Sequence, residues 1–345
     1  MKPKIFIDGR EGTTGLQIYE RLCDRDDIVM LPISKAKRKD ISERRKLINK
    51  ADLVFLCLPD EAAREAVSLI ENDRTRVIDA STAHRTDPGW VYGFPELSAE
   101  QRSKIAAARR VANPGCHATG VIAAVYPLIA LGIMPRDYPL TCLSLTGYSG
   151  GGKSMIHAYE EEKTPEMYAP RLYGLDLRHK HLPEIIHMTG LTRPPVFCPV
   201  VDDYYSGIAT TITLHNDMLA GNPTAADIRQ KLEGYYEGER FIMVAPKLGS
   251  GTLESNWGIN TNMLEIIVSG GNELTIVTAR FDNLGKGAAG AAVQNMSIML
   301  GLSEEEGWEK AEEPENEDAF ALMSEEELRL IRDAEQYRYK RGYKR

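Results

Sequence analysis

No two cysteines in this 345-residue chain are spaced CxxC, and the five present are an odd number scattered along it. A disulfide framework or zinc ribbon is therefore excluded, and reduced thiols in a cytoplasmic protein are expected. Nor is there a basic excess: 42 Lys and Arg face 50 Asp and Glu, a net charge of −8. A nucleic-acid binder needs a cationic face to displace counterions, so that partner class is set aside. No apolar run approaches the roughly 18 residues of a membrane-spanning helix, so no membrane partner is expected. The opening MKPKIFIDG carries too short an apolar run for a signal peptide, and no A-x-A site follows. No repeat of fixed period is visible. What is present, 43% hydrophobic and 27% charged residues, is the composition of a globular chain. At roughly 150 residues per domain its length predicts two domains.

Charge is unevenly spread. Ser303 to Arg345 holds 14 acidic and 8 basic residues, a net −6 that leaves −2 for the first 302. Glu304 to Asp318 reads as an acidic linker, and Ser324-Glu325-Glu326-Glu327 opens a helix with a capping-box pattern that ends in basic residues. This 303–345 tail is expected to be a solvated appendage or subunit contact, so a chain ending at Leu302 should keep its chemistry.

Upstream, Lys4 to Asp8, Ile28 to Ile33, Asp52 to Leu58 and Arg76 to Ala80 are apolar strands alternating with helical segments, the pattern of a parallel sheet covered on both faces. After about Pro114 the texture changes. Leu140 to Thr146, Ala209 to Leu214, Leu264 to Val268 and Leu274 to Ala279 are alternating or β-branched strands, consecutive ones able to pair antiparallel. Gly287 to Leu300 is an alanine-dense helix that could return to the first domain. The expected fold is α/β: an N-terminal Rossmann-like parallel sheet plus an α+β domain.

Two glycine loops stand out. Gly9, Gly12 and Gly15, with Thr13 and Thr14 between them, separate the first strand from the first helix, where a dinucleotide pyrophosphate would rest. About twenty residues on, where an NAD site favours an acid, the chain has Ser34-Lys35-Ala36-Lys37-Arg38-Lys39. A hydroxyl beside cations suits a 2′-phosphate, so NADP(H) is predicted, with Ser34 and Lys35 as contacts. The second loop, Gly147 to Ser154, matches the G-x-x-x-x-G-K-S phosphate-binding pattern outright. It lacks a downstream strand ending in a magnesium-binding Asp, so ATP binding is the lesser reading. An anion cradle of Ser149, Gly150, Gly151 and Lys153 is the greater.

Cys116 lies among the turn residues of Asn113-Pro114-Gly115-Cys116-His117, ahead of the helical run Val121 to Leu131. At a helix N-terminus the dipole and free N–H groups are expected to lower a thiol pKa, the setting of a nucleophile. His179 and His181, two apart and just before a helix, are candidate acid/base groups, and Glu184 could support one of them. Cys116 with two histidines is an incomplete zinc set, so no metal is expected. His84, His157, His187 and His215 read as surface or hydrogen-bonded core residues.

With these residues in place the chain resembles the N-acetyl-gamma-glutamyl-phosphate reductases, the NADPH-dependent acyl-phosphate reductases of arginine biosynthesis, in their shorter form. IFIDGREGTTG, VIDASTAHR, WVYGFPEL, VANPGCHATG, GYSGGGK, LRHKHLPEI and DNLGKGAAGAAVQNM carry the likeness, in order, over residues 1 to about 301. His117-Ala118 stands where the family has Tyr-Pro, and His84 where it has an aromatic residue. The resemblance implies a second domain of the semialdehyde dehydrogenase type. It makes Cys116 the nucleophile and His181 the acid/base. Arg85, His179 and Glu184 become substrate contacts, and Ser81, Asn283 and Gly285 cofactor contacts. It implies residues 1–113 and 282–302 as the NADP-binding domain and 114–281 as the catalytic one, in a homo-oligomer, dimer or tetramer. The small-molecule substrate is an acyl phosphate captured as a thioester and reduced to a semialdehyde. Aspartyl phosphate, or an N-acetyl-aminoadipyl or carrier-linked analogue, remains an alternative substrate.

Overall fold

The chain opens with a strand whose alternate residues are buried on opposite faces, and that sets the first layer. A computed structural model describes residues 2–246 and 251–305. In β1 (Lys4–Asp8), Ile5 and Ile7 face one hydrophobic cluster and Phe6 another. The strands β2 (Val29–Met30), β3 (Leu53–Leu56), β4 (Arg76–Asp79), β5 (Val91–Tyr92) and β6 (Arg110–Ala112) complete an all-parallel sheet of order β2-β1-β3-β4-β6-β5. The strand expected over Ile28 to Ile33 is only two residues long, because the chain leaves the sheet edge after Met30. Helices α1 (Thr13–Leu22), α2 (Ile41–Lys50) and α3 (Asp60–Ser68) connect the first strands, and α4 (Ala99–Ala107) lies between β5 and β6. Strand order reverses between β1 and β3, and in open parallel sheets that crevice is where ligands bind.

The second layer starts at α5 (Cys116–Ala130), a helix whose residues His117 to Val125 are all buried. It packs on a seven-stranded mixed sheet of order β11-β12-β13-β10-β7-β9-β8. The strands are β7 (Thr141–Gly147), β8 (Arg171–Leu172), β9 (Val196–Asp202), β10 (Ile208–His215), β11 (Ile242–Val244), β12 (Leu264–Gly270) and β13 (Leu274–Phe281). The expected antiparallel neighbours are present, with Leu264 opposite Phe281 and Ile208 opposite Thr146. Helices α6 (Gly152–Glu160), α7 (Leu182–Thr189) and α8 (Ala225–Tyr235) follow, of which α7 packs on α5 and α8 on β12. The opposite face of this sheet leaves Leu143, Val196, Leu274 and Ile276 exposed.

After β13 the chain makes one π-helical turn, Gly285–Ala289, and runs into α9 (Gly290–Leu300). Ala292, Val293, Met296 and Met299 join the cluster of Ile5, Ile7, Ile18 and Leu22, so the late helix returns to the first sheet as its alanines indicated. No helix among the described residues is long and apolar enough to cross a membrane. The acidic linker past Glu305 and the helix opening at Ser324 lie outside the described residues.

The contact of α5 with β10 depends on a missing side chain. A Cβ placed on Gly120 would sit 2.5 Å from Thr210 Oγ1 and 2.6 Å from Thr210 Cβ. Gly120→Ala should therefore destabilise the fold by about 1–3 kcal/mol of overpacking, outweighing the ~1 kcal/mol gained in helix propensity. A Tm equal to or above the parent's would show that β10 can yield.

Candidate active site

At the end of β1 the backbone turns where only glycine fits. Gly9 has φ +88°, and a Cβ there would overlap the Cys57 carbonyl oxygen beyond β3; one on Gly15 would lie 2.5 Å from Gly9 O. These glycines shape the turn, while Thr13 and Thr14 line a cavity of about 270 Å³. Helix α1 has no side-chain cap, and Thr13 Oγ1 is buried without a hydrogen-bond partner among the described residues. Free N–H groups and an orphan hydroxyl at a helix N-terminus fit a dinucleotide pyrophosphate. Ser34 and Lys35 are exposed beyond β2, and Arg38 of the same turn pairs with Glu11 of the glycine turn at 3.4 Å.

Two expected cofactor contacts are placed otherwise. Ser81 donates from its N–H (2.9 Å) and its hydroxyl (2.7 Å) to Asp79, which also bonds His84 Nδ1 at 2.6 Å. His84 is buried and stacked 4.1 Å from Trp90, so this cluster supports the loop beneath the cavity and does not line it. Gly285 is wedged beneath the Thr261 carbonyl. Asn283 does line the cavity, accepting from Gly207 N–H (2.7 Å) and donating to Ser149 Oγ (3.0 Å).

Cys116 opens α5 on the cavity wall, with Gly115 as N-cap. A Cβ on Gly115 would overlap both Arg85 Nη1 and His181 Nε2, so a guanidinium and an imidazole meet at the residue before the thiol. The expectation of a lowered thiol pKa is corrected. Burial dominates and raises it, against the opposing pull of Lys180, the His117 N–H and Arg85. Burial therefore outweighs the helix N-terminus at this thiol.

His181 lies beside the thiol across Gly115. It is buried, its Nδ1 has no hydrogen-bond partner among the described residues, and burial followed by Arg85 pulls its pKa well below the usual value. His179, 4.9 Å away between ring centres, is lowered to about 4 by burial and Lys180. His117, singled out in the sequence only as a departure, joins them: its ring lies 5.5 Å from His179 and 5.7 Å from His181. Its two nitrogens bond Ser144 Oγ and the Tyr173 hydroxyl, each at 2.7 Å. Among the described residues no group of three or more His, Cys, Asp or Glu is arranged to hold a metal ion.

The G-x-x-x-x-G-K-S loop is tied down at its start. The N–H groups of Gly147, Tyr148 and Ser149 are spent on the carbonyls of Gly207, Tyr204 and Tyr205 at 2.9–3.0 Å. Ser149, Gly150 and Gly151 line the cavity, and a Cβ on Gly152 would lie 3.9 Å from Thr13 Oγ1, so the two glycine loops face each other. Lys153 is exposed on α6 and does not line the cavity; Lys180 supplies the cation instead. Its position between the two histidines of RHKH was the available sequence signal.

With this geometry established, comparison with known proteins is decisive. Residues 7–105 match the family model described as semialdehyde dehydrogenase, NAD binding domain, and residues 116–283 match semialdehyde dehydrogenase, dimerisation domain. The chain is 50% identical over 319 residues to N-acetyl-gamma-glutamyl-phosphate reductase 2 of Nostoc sp., covering 89% of this chain and 99% of the relative. It is 46% identical over 310 residues to reductase 2 of Pseudomonas putida, covering 88% and 99%. The chain belongs to the N-acetyl-gamma-glutamyl-phosphate reductase family. It is thus an oxidoreductase with a nicotinamide dinucleotide cofactor, as the β1–α1 turn indicated. In fold it is similar to aspartate semialdehyde dehydrogenase II of Vibrio cholerae, with a TM-score of 0.67 at 13% identity, covering 87% of this chain and 98% of that one.

In this reductase Glu184 does not support a histidine. Its two oxygens accept from Arg85 Nη1 (3.0 Å), the Tyr92 hydroxyl (2.7 Å) and the Gly115 N–H (2.8 Å), and it does not line the cavity. Arg85 also donates to the carbonyls of Asn113 and Ala80, which leaves its flank on the cavity wall. Sequence reasoning missed Tyr92 because nothing local marks a tyrosine of a short edge strand as a partner of a residue in α7.

The buried histidines carry a stability prediction. His117 is lowered to about 3 by burial, while an unfolded histidine titrates near 6.5. Between those values the unfolded chain binds the extra proton, so stability is lost as pH falls below about 6.5, at up to ~1.4 kcal/mol per pH unit for each such group. In urea unfolding at pH 6.5 and 4.5, His117→Gln should show a smaller drop in midpoint than the parent. An equal drop would mean that His117 is not held neutral by burial.

Proposed function

We propose that this reductase converts N-acetyl-γ-glutamyl phosphate to N-acetyl-glutamate semialdehyde and phosphate, with NADP(H), in arginine biosynthesis. The observation that carries the reading is the meeting of Cys116, His181 and Arg85 around Gly115, in a cavity that reaches the β1–α1 turn. His181, neutral and unpartnered at Nδ1, takes the thiol proton. The Cys116 sulfur then attacks the acyl carbon, the bond to the phosphate oxygen breaks, and a thioester remains on the chain. Arg85 and Lys180 counter the charge of the departing phosphate beside the glycines at 150 and 151. Covalent capture divides one hard displacement into two easier steps. Bound NADPH supplies the hydride that reduces the thioester. His181 exchanges its proton with the carbonyl oxygen, and Cys116 leaves as the semialdehyde is released.

Thr13, Thr14 and Asn283 are the residues that would hold the dinucleotide, with Ser34, Lys35 and Arg38 reading a 2′-phosphate. Residues 1–113 with 282–302 form the cofactor half in this reading, and 114–281 the catalytic half. The exposed face of Leu143, Val196, Leu274 and Ile276 suits self-association into a dimer or larger homo-oligomer. The five cysteines are all free, which suits the cytoplasm.

Cys116→Ala should abolish turnover, at least about a thousandfold, while NADPH still binds by fluorescence titration. The same enzyme, run in reverse with phosphate and NADP, should favour N-acetyl-glutamate semialdehyde over aspartate semialdehyde. Retained turnover in the alanine variant would remove the covalent step, and a preference for the aspartate analogue would reassign the substrate. Replacing both Lys35 and Arg38 with Gln should weaken NADPH by about tenfold, roughly 1.4 kcal/mol, and NADH little. Equal weakening of both would show that these cations do not read the phosphate.

A further inference from the structure

The turn that touches the nucleophile has almost no side chains with which to hold itself. A Cβ on Gly287 would lie 2.8 Å from Cys116 Cβ, so this backbone is packed directly on the thiol-bearing residue. The π-helical turn reads GKGAA over Gly285–Ala289, closed by Gly287 N–H to Asp282 O (3.1 Å) and Ala289 N–H to Leu284 O (2.9 Å). A single π turn is a widened, weakly propagating geometry that needs outside support. Only Lys286 has a side chain longer than a methyl group, and it is buried away from the cavity.

From Lys286 a chain of hydrogen bonds runs to the surface. Its Nζ donates to Glu96 Oε1 (2.6 Å) and Gln294 Oε1 (2.7 Å). Gln294 Nε2 donates to the same Glu96 oxygen (2.8 Å) and to Glu304 Oε2 (3.0 Å). Glu304 Oε1 accepts from Arg102 Nη1 at 2.5 Å, and Arg102 Nη2 reaches Glu239 at 2.8 Å. Burial lowers the Lys286 ammonium, while Glu96 and Glu304 favour its charge. Breaking a buried pair on one side is costly because it strands the other charge.

We propose that Lys286 is a positioning residue for Cys116, and that Glu304, at the start of the acidic tail, is its outer anchor through Gln294. The proposal rests on Cys116 being the nucleophile. A chain ending at Leu302, expected from the motifs alone to keep its chemistry, lacks this anchor and should lose rate.

The test compares Glu304→Ala, Lys286→Met, the double variant and Glu305→Ala, a control whose carboxylate pairs with Arg240 on the surface. Measurements are kcat, KM for the acyl phosphate, Tm, and the rate at which iodoacetamide modifies Cys116, followed by peptide mass spectrometry. Glu304→Ala should lower kcat about fivefold and slow Cys116 modification in parallel, with KM and Tm near the parent's. The double variant should be no slower than Lys286→Met, because residues acting through one chain are not additive. Glu305→Ala should change nothing. Should Lys286→Met fail to fold, Glu304→Ala alone decides. Parental kcat and parental modification rate in Glu304→Ala would overturn the proposal, as would a matching effect in Glu305→Ala. The modification rate needs no substrate, so it distinguishes a failure of this anchor from a failure of the covalent mechanism.

Discussion

A buried carboxylate holds the two halves of the site in register. Glu184 comes from the α7 side of the molecule, Arg85 and Tyr92 from the parallel-sheet side, and the Gly115 N–H from the cap of the helix that Cys116 opens. Without Glu184, the Tyr92 hydroxyl, the Gly115 N–H and Arg85 Nη1 would each lose this partner. Removing one partner of such a pair costs about 3–5 kcal/mol, because the remaining charge stays buried. Glu184 thus ties Arg85, which lines the cavity, to the N–H of the residue just before Cys116. The carboxylate therefore acts on geometry, and the chemistry is left to its neighbours.

Burial sets the electrostatics of those neighbours. It raises the thiol and lowers all three imidazoles, so burial opposes charge on both kinds of group. Arg85 and Lys180 act in the same sense on both kinds of group, favouring thiolate over thiol and neutral over charged histidine. His117, bonded at both nitrogens, is held by its partners and contributes packing around Cys116 and His181.

Glycine serves two distinct purposes in the same cavity. At Gly9 and Gly15 the absent Cβ lets β1, α1 and the end of β3 close tightly at the strand-order reversal. At Gly115 and Gly287 it lets Arg85, His181 and the π turn press on the backbone around Cys116. The loop at 147–154 has a third character. Its early N–H groups are tied to the 204–207 segment, so a pattern that reads as a phosphate loop in one dimension becomes part of a wall in three.

Local pattern was enough for the parallel sheet, the late returning helix and the candidacy of Cys116 with the His179–His181 pair, because periodicity, turn residues and motif order act over a few positions of chain. The same reading assigned Lys153, Ser81 and Gly285 to ligand contacts, and none lines the cavity: Lys153 is exposed on α6, Ser81 is tied to Asp79, and Gly285 is wedged beneath the Thr261 carbonyl. It placed a lowered pKa on Cys116 from the helix end, whereas the direction is set by burial, which outweighs the opposing pull of Lys180 and Arg85. The short strands β5, β8 and β11 carry no pattern of their own and exist because a neighbouring edge pairs with them. Sequence by itself determined which chemistry this chain carries. Tertiary structure decided which of its polar groups face the substrate, since burial and pairing across 69 to 99 residues, as in Glu184 with Gly115 and Arg85, have no trace in local spacing.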